Sequence, residues 1–150
     1  MYLTLTMLAC LTANNPATFT DTPSDNELAK FQGTWVMVSG EKDGAKIADD
    51  LVKKSKIVWN GKKADLDSAH QSKEKIKLTV ALDVTKKPKQ MDWVRDTGPE
   101  TGKTMYAIYE WIDPDQYRIC FAPAGKDRPK EFATKPGSGF YLHVWKRVKE

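Results

Sequence analysis

The sequence predicts an all-β domain of eight or nine antiparallel strands with a short N-terminal helix. Runs of residues with a period of two recur along the chain, and clusters of turn-forming residues separate them at short intervals. Helical spacing is confined to two short segments, one around Leu28 and one after Ala45. Sheets of this kind either close into a barrel or pack as a sandwich, and the strand pattern alone fits both.

The first 26 residues are predicted to precede the folded domain. Residues 1–13 form a candidate signal peptide or lipoprotein leader, because residues 2–11 are apolar apart from threonine and Ala9-Cys10 suits lipid attachment. The Lys or Arg that usually precedes such a stretch is missing. Residues 14–26 are rich in Thr, Pro, Asn and Asp, which is typical of a linker. The barrel or sandwich domain is then predicted over residues 27–150.

The predicted N-terminal helix is short and starts at a capping pattern. Ser24 and Glu27 have the spacing of a capping box. Leu28 and Phe31 give the helix an apolar side, and the helix is expected to end near Gly33.

The strands are predicted from alternation and turn residues. The first opens at Trp35, and residues 45–55 are predicted to form a second short helix. Residues 57–59 followed by Asn60-Gly61 predict a hairpin, because both central residues of a type I′ turn need positive φ. The clearest strand is residues 75–82, where polar and apolar side chains alternate. The remaining predicted strands are residues 91–94, 103–111, 117–122, 131–134 and 140–147.

Two features near the ends of the domain favour the barrel. Gly33-Thr34-Trp35 opens the first strand and resembles the Gly-x-Trp signature of the lipocalin and wider calycin barrels. Arg147 stands where those barrels place an arginine across the tryptophan ring, a cation–π contact. The resemblance implies that Trp35 and Arg147 are structural residues that join the first strand to the last.

A longer resemblance covers residues 28–147, about four-fifths of the chain. It consists of FQGTW at 31–35, EKDG at 41–44, LDVTKKPK at 82–89, GKT at 102–104, IYE at 108–110, CFAP at 120–123, RPKEF at 128–132 and PGSG at 136–139. In these segments the chain resembles an uncharacterised domain family abundant in planctomycete bacteria. The resemblance implies a lipocalin-like barrel, often behind an export leader, and no established activity.

The sequence carries no catalytic motif and no spacing of metal ligands. Its two histidines, His70 and His143, are interpreted as a solvated residue and a strand residue. Ser138 between two glycines predicts a hairpin turn rather than a nucleophile elbow. Cys120 is expected to be a buried structural thiol. We therefore expect a non-enzymatic protein with no cofactor and no metal.

Charge adds an expectation about partners. All 24 Lys and Arg lie beyond residue 26, whereas Asp21 and Asp25 precede it, so the predicted domain is more basic than the chain's net +4. An anionic component of the cell envelope is therefore a candidate partner. Nucleic-acid binding is not expected, because it calls for a denser basic stripe interleaved with exposed aromatic residues. The sequence leaves the oligomeric state open.

The leading functional hypothesis is an exported domain that binds a small apolar or amphipathic molecule in the mouth of its barrel. An eight-stranded barrel is just wide enough either to hold one small ligand or to be filled by side chains. The alternative is therefore a protein-interaction or envelope-structural module with a filled barrel. The leader favours a periplasmic, secreted or lipid-anchored location, and without a functional leader the protein would be cytoplasmic. The predicted ligand-binding residues are Trp59, Trp93, Tyr109, Trp111 and His143.

Overall fold

The computed structural model describes residues 22–149, and within them the chain folds into a closed β-barrel. Eight antiparallel strands form the barrel, and one further strand and two short helices accompany it. The predicted all-β class, the eight to nine strands and the short N-terminal helix are confirmed. The candidate leader and the first part of the predicted linker, up to Asp21, lie outside the described residues.

The secondary structure elements follow one another with short connections over most of the chain. The helices are α1 (Pro23–Ala29) and α2 (Asp49–Lys53). The strands are β1 (Gly33–Lys42), β2 (Ala45–Lys46), β3 (Lys56–Asn60), β4 (Lys63–Asp67), β5 (Ile76–Asp83), β6 (Lys89–Arg95), β7 (Thr104–Asp113), β8 (Gln116–Phe121) and β9 (Tyr141–Arg147).

The barrel is an up-and-down meander closed by its first and last strands. From β3 to β9 each strand pairs with the next one along the chain, and β1 pairs with both β3 and β9. Trp35 lies opposite Ile57 on one side and opposite Arg147 on the other. A bulge between Met37 and Ser39 leaves Val38 exposed to solvent. The two-residue β2 pairs only with the end of β1.

The two ends of the barrel differ in what covers them. We call the end that carries α1, the β3–β4 turn and the β7–β8 turn the helix end. We call the opposite end, with the connections 68–75 and 96–103, the loop end. Inward side chains fill the interior of the barrel between the two ends. The fully buried ones include Trp35, Trp93, Trp145, Tyr109, Tyr117, Phe121 and Met91.

Helix α1 begins two residues earlier than predicted. Its cap is Thr22, whose hydroxyl accepts a hydrogen bond from the Asp25 amide at 3.1 Å while the Asp25 carboxylate accepts one from the Thr22 amide. The predicted cap, Ser24, instead donates to the carbonyl of Leu82. Two overlapping patterns fit a capping box, and the one used leaves the Glu27 side chain free to point into the fold.

The β3–β4 hairpin forms as predicted, but its turn is shifted by one residue. Its central residues are Gly61 and Lys62, since Asn60 pairs with Lys63 in the ladder. Gly61 has φ of 59°, which a glycine adopts without strain. The side chain of Gln32 both donates to and accepts from the Gly61 backbone, at 3.1 and 2.8 Å, and this contact fixes the position of the turn.

The predicted strand at residues 131–134 is wrong. These residues belong to a long connection, residues 122–140, that lies against the outer face of the barrel. The Cys120 thiol donates to the carbonyl of Ala133, and the Arg118 guanidinium lies 4.3 Å from the centre of the Phe132 ring. Strand β8 already pairs with β7 and β9, so the closed barrel offers this segment no free edge to join.

Candidate functional site

Four of the five predicted ligand-binding residues lie in the filled interior. Trp59, Trp93, Tyr109 and His143 are at most 3% exposed and belong to the buried core of the barrel or pack against it. In residues 22–149, five surface clefts are lined by other residues, and none of these four contributes to them. The prediction that they face inward is correct, but they fill the barrel instead of lining an open cup.

Phe31, just beyond α1, plugs the helix end of the barrel. Its ring is fully buried, and its centre lies 4.9 Å from that of Trp59, 5.3 Å from Tyr109, 4.6 Å from Trp111 and 4.9 Å from Tyr117. Aromatic pairs at these separations gain energy beyond the area they bury. The sequence placed Phe31 on the apolar side of the helix but did not predict its four aromatic partners, because they come from other parts of the chain.

A buried carboxylate, Glu27, fastens α1 over this plug. Its Oε1 accepts hydrogen bonds from the Lys89 ammonium at 2.6 Å, the Trp111 indole at 2.8 Å and the Tyr109 hydroxyl at 3.3 Å. Its Oε2 accepts one from Lys30 at 2.9 Å. Burial alone would raise the pKa of Glu27, but the hydrogen bonds from Lys89, Lys30 and Trp111 outweigh it and hold the pKa at about 2.

Trp35 and Arg147 form a second fastening at the same end. The Arg147 guanidinium lies 4.3 Å from the centre of the Trp35 ring and donates to the carbonyls of Gln32 and Lys30. The Trp35 indole donates to the carbonyl of Phe31 at 2.7 Å. The pair therefore holds the segment between α1 and β1 as well as the first and last strands.

The remaining predicted residue, Trp111, opens onto a cleft of about 600 Å³ at the helix end. We call it the helix-end cleft. It lies between the end of α1 and the β7–β8 turn, and its volume is in the range of small-molecule sites, roughly 300–1,000 Å³. Its lining residues are Lys30, Trp111, Ile112, Asp113, Pro114 and Arg147.

The helix-end cleft combines an apolar wall with a cationic side. Ile112 is 51% exposed at a bulge between Trp111 and Asp113, and Pro114 and the half-buried Trp111 flank it. Lys30 stands across from them with its side chain 60% exposed. The Lys30 ammonium has three N–H donors and uses one of them in the hydrogen bond to Glu27, so two remain for a ligand.

The loop end of the barrel holds a histidine pair that the sequence did not predict. His70, in the connection after β4, and His143, on β9, approach with their Nε2 atoms 3.2 Å apart. His143 is fully buried and His70 is half-buried, so the expected solvated His70 is wrong. The Ser68 hydroxyl lies 2.8 Å from Nδ1 of His70 and orients its ring. Because 73 residues separate the two histidines, no local pattern connects them.

Both histidines are uncharged at neutral pH. Burial, and to a smaller degree the charge of Lys42, lower the pKa of His70 from 6.5 to about 4. Burial and the neighbouring His70 hold the pKa of His143 well below its ordinary value. One Nε2 therefore donates its proton to the other in a hydrogen bond between neutral rings.

We expect acid to destabilise the protein through this pair. Below pH 6.5 the histidines bind protons in the unfolded chain but not in the folded one. The free energy of unfolding is therefore highest above pH 6.5 and decreases as the pH drops towards 4. Each histidine lowers the free energy of unfolding by about 1.4 kcal/mol per pH unit. Between pH 6.5 and 5 the loss is about 2 kcal/mol if one histidine is involved and about 4 kcal/mol if both are. Urea unfolding measured at steps from pH 7.5 to 5 checks this.

The control for that experiment is His70→Gln. Glutamine retains hydrogen-bonding groups but does not titrate, so the dependence of unfolding free energy on pH should become shallower. An unchanged slope in this variant would show that other groups cause the acid sensitivity.

The fold and the site together define a closed antiparallel barrel with a filled core and a cleft at one end. Comparisons of the chain with protein families, curated proteins and solved structures found no match. The resemblance to lipocalin barrels and to the planctomycete family therefore stays a prediction.

Within residues 22–149, no three His, Cys, Asp or Glu side chains are grouped as ligands for a metal ion. None of the helices in that range is both long and apolar enough to cross a membrane.

Proposed function

We propose that this protein is a non-catalytic binding module that takes a small amphipathic molecule in the helix-end cleft. The observation that carries the proposal is the joining of an exposed apolar wall, Trp111 and Ile112, with the Lys30 ammonium in one cleft of about 600 Å³. The predicted class of ligand is retained. We place the ligand in the helix-end cleft and not in the barrel mouth, because buried side chains occupy the interior of the barrel.

The cleft suits a molecule with one short apolar chain and a polar head. The chain would cover Ile112 and Pro114, whose exposure to water is unfavourable. The head would lie at Lys30, where two ammonium donors remain for an acceptor. Asp113 also lines the cleft and would repel an anionic head, so such a head is expected at Lys30. Arg147 contributes less, because its guanidinium is already bound to Asp115 and two carbonyls.

The proposal is tested with three ten-carbon amphiphiles that differ in head charge: decanoate, decyl maltoside and decyltrimethylammonium. Each is titrated below its aggregation concentration into the full chain and followed by calorimetry and by the indole signals in ¹H–¹⁵N NMR spectra. We expect decanoate to bind most tightly and the cation least, with the Trp111 indole signal shifting. If none of the three shifts that signal, the proposed site is wrong.

Ile112→Asp should weaken decanoate binding roughly tenfold or more. Fully burying an isoleucine side chain is worth about 1.5–3 kcal/mol, and a ligand can bury about half of Ile112, which is 51% exposed. The substitution removes this gain and also places a negative charge beside the ligand. The matched control is Val38→Asp, since Val38 is 47% exposed and also sits in a bulge, but on β1 away from the cleft. Equal losses of affinity in the two variants would contradict the assignment.

The filled interior also favours a second candidate, a protein-interaction or envelope-structural module. In that case the barrel serves as a rigid support and none of the three amphiphiles binds at the cleft. An anionic envelope component remains a candidate partner of such a module on account of its basic charge. Export from the cytoplasm stays a prediction that rests on residues 1–13.

A further inference from the structure

The only two histidines of the chain meet at the loop end of the barrel, at the end opposite the helix-end cleft. Their Nε2 atoms face each other across 3.2 Å, although one residue comes from a connection and the other from the last strand. We propose that His70 and His143 bind a divalent transition-metal ion of the zinc, copper or nickel class through these two nitrogens. Imidazole nitrogen is a suitable ligand for these ions.

The separation of the two nitrogens matches two corners of a metal site. Zinc binds histidine nitrogen at about 2.0–2.1 Å in tetrahedral geometry, so two such nitrogens stand about 3.3–3.4 Å apart. The observed separation of 3.2 Å is only slightly shorter than that value. The hydrogen bond that now joins the rings would be replaced by two metal bonds. His143 would stay neutral by carrying its one proton on Nδ1, which has no hydrogen-bond partner in the described structure.

The surroundings hold His70 in the form that a metal needs. The fully buried Ser68 has its hydroxyl oxygen 2.8 Å from Nδ1 of His70 and can accept the proton of that nitrogen, which leaves Nε2 as the free lone pair. Hydrogen bonds of this kind to the second ring nitrogen are the usual support of metal-binding histidines. His70 is half-buried and thus reachable from solvent.

A third donor lies beside the pair. The amide nitrogen of Gln71 ends 3.5 Å from Nε2 of His70, so rotation of the amide brings its carbonyl oxygen to the same place. Water would complete the coordination, because no further His, Cys, Asp or Glu joins the pair in the described part of the chain. We therefore expect a site of moderate affinity that binds one ion.

A nearby cation gives the proposal a second, opposite-signed test. Lys42 lies over the ring of Tyr141 at 5.0 Å, and its charge acts on His70. A positive charge that acts on His70 opposes the binding of a metal cation to this residue. Removing it should therefore tighten metal binding, an effect that a purely structural histidine pair would not produce.

The experiment titrates zinc sulfate into the full chain, without an affinity tag, and measures the heat of binding and the rise in Tm. We expect one zinc ion per chain in the wild type and an affinity reduced at least tenfold in His70→Gln. Lys42→Gln should bind zinc several-fold more tightly. The control, Lys146→Gln, removes an exposed lysine at the helix end and should leave the affinity unchanged.

His143 is followed without substitution, because a change at a fully buried site could prevent folding. The imidazole ¹⁵N signals of both histidines should shift together when zinc is added to the wild type. The proposal is overturned if millimolar zinc produces neither heat nor a Tm rise, or if His70→Gln binds as tightly as the wild type. A shift confined to His70 would equally contradict a shared ion.

Discussion

Phe31→Ala should lower the free energy of unfolding by about 3–5 kcal/mol, the range for removing a large aromatic side chain from a core. The ring is fully buried and touches four other aromatic rings at the helix end, so its loss opens a cavity that rigid neighbours cannot fill. Urea unfolding followed by circular dichroism at neutral pH measures the change.

Phe132→Ala is the comparison for Phe31. The Phe132 ring is half-buried on the outside of the barrel, beneath the Arg118 guanidinium, and we expect its removal to cost about 1 kcal/mol. Losses of the same size for both variants would mean that Phe31 does not plug the barrel as described.

Glu27→Gln should destabilise the protein by about 3 kcal/mol at neutral pH, because it removes the buried negative charge that pairs with the Lys89 and Lys30 ammonium groups. The effect has a pH signature. With a folded pKa of about 2 against an ordinary value of 4.5, the wild-type carboxylate contributes stability above pH 4.5 that is lost as the pH falls towards 2. That loss, about 3 kcal/mol, should be absent from the variant.

The control is Glu110→Gln. Glu110 pairs with Arg118 on the surface, where both side chains are well exposed, so its replacement should cost no more than about 1 kcal/mol. If Glu27→Gln unfolds with the same pH profile as the wild type between pH 4.5 and 3, the buried network does not stabilise the fold in the way proposed.

The sequence predicted most strands because alternation is a local property. Residues 75–82 alternate so regularly that β5 falls within one residue of its expected bounds. The ends of the helices and strands were predicted less accurately. Thr22 and Ser24 both fit a cap, and the choice depends on whether the Glu27 side chain turns towards the barrel or back to its own helix.

The site was less predictable than the fold because its contacts join distant residues. The sequence predicted Trp59 and Tyr109 as ligand-binding residues of the barrel, but whether they line a cavity depends on Phe31, which enters from another element. The partners of Glu27 lie up to 84 residues away. Such contacts form only once the sheet has closed, and no spacing along the chain marks them.

Closure of the barrel through β1 and β9 has a consequence for how the chain reaches its native state. These two strands are more than 90 residues apart, and every other pairing in the barrel can form before theirs. Until β9 pairs with its neighbours, the partly formed sheet exposes two unpaired edge strands to other molecules. The last pairing is therefore the entropically expensive one, and the kinetics of maturation should depend on how soon residues 141–147 find β1.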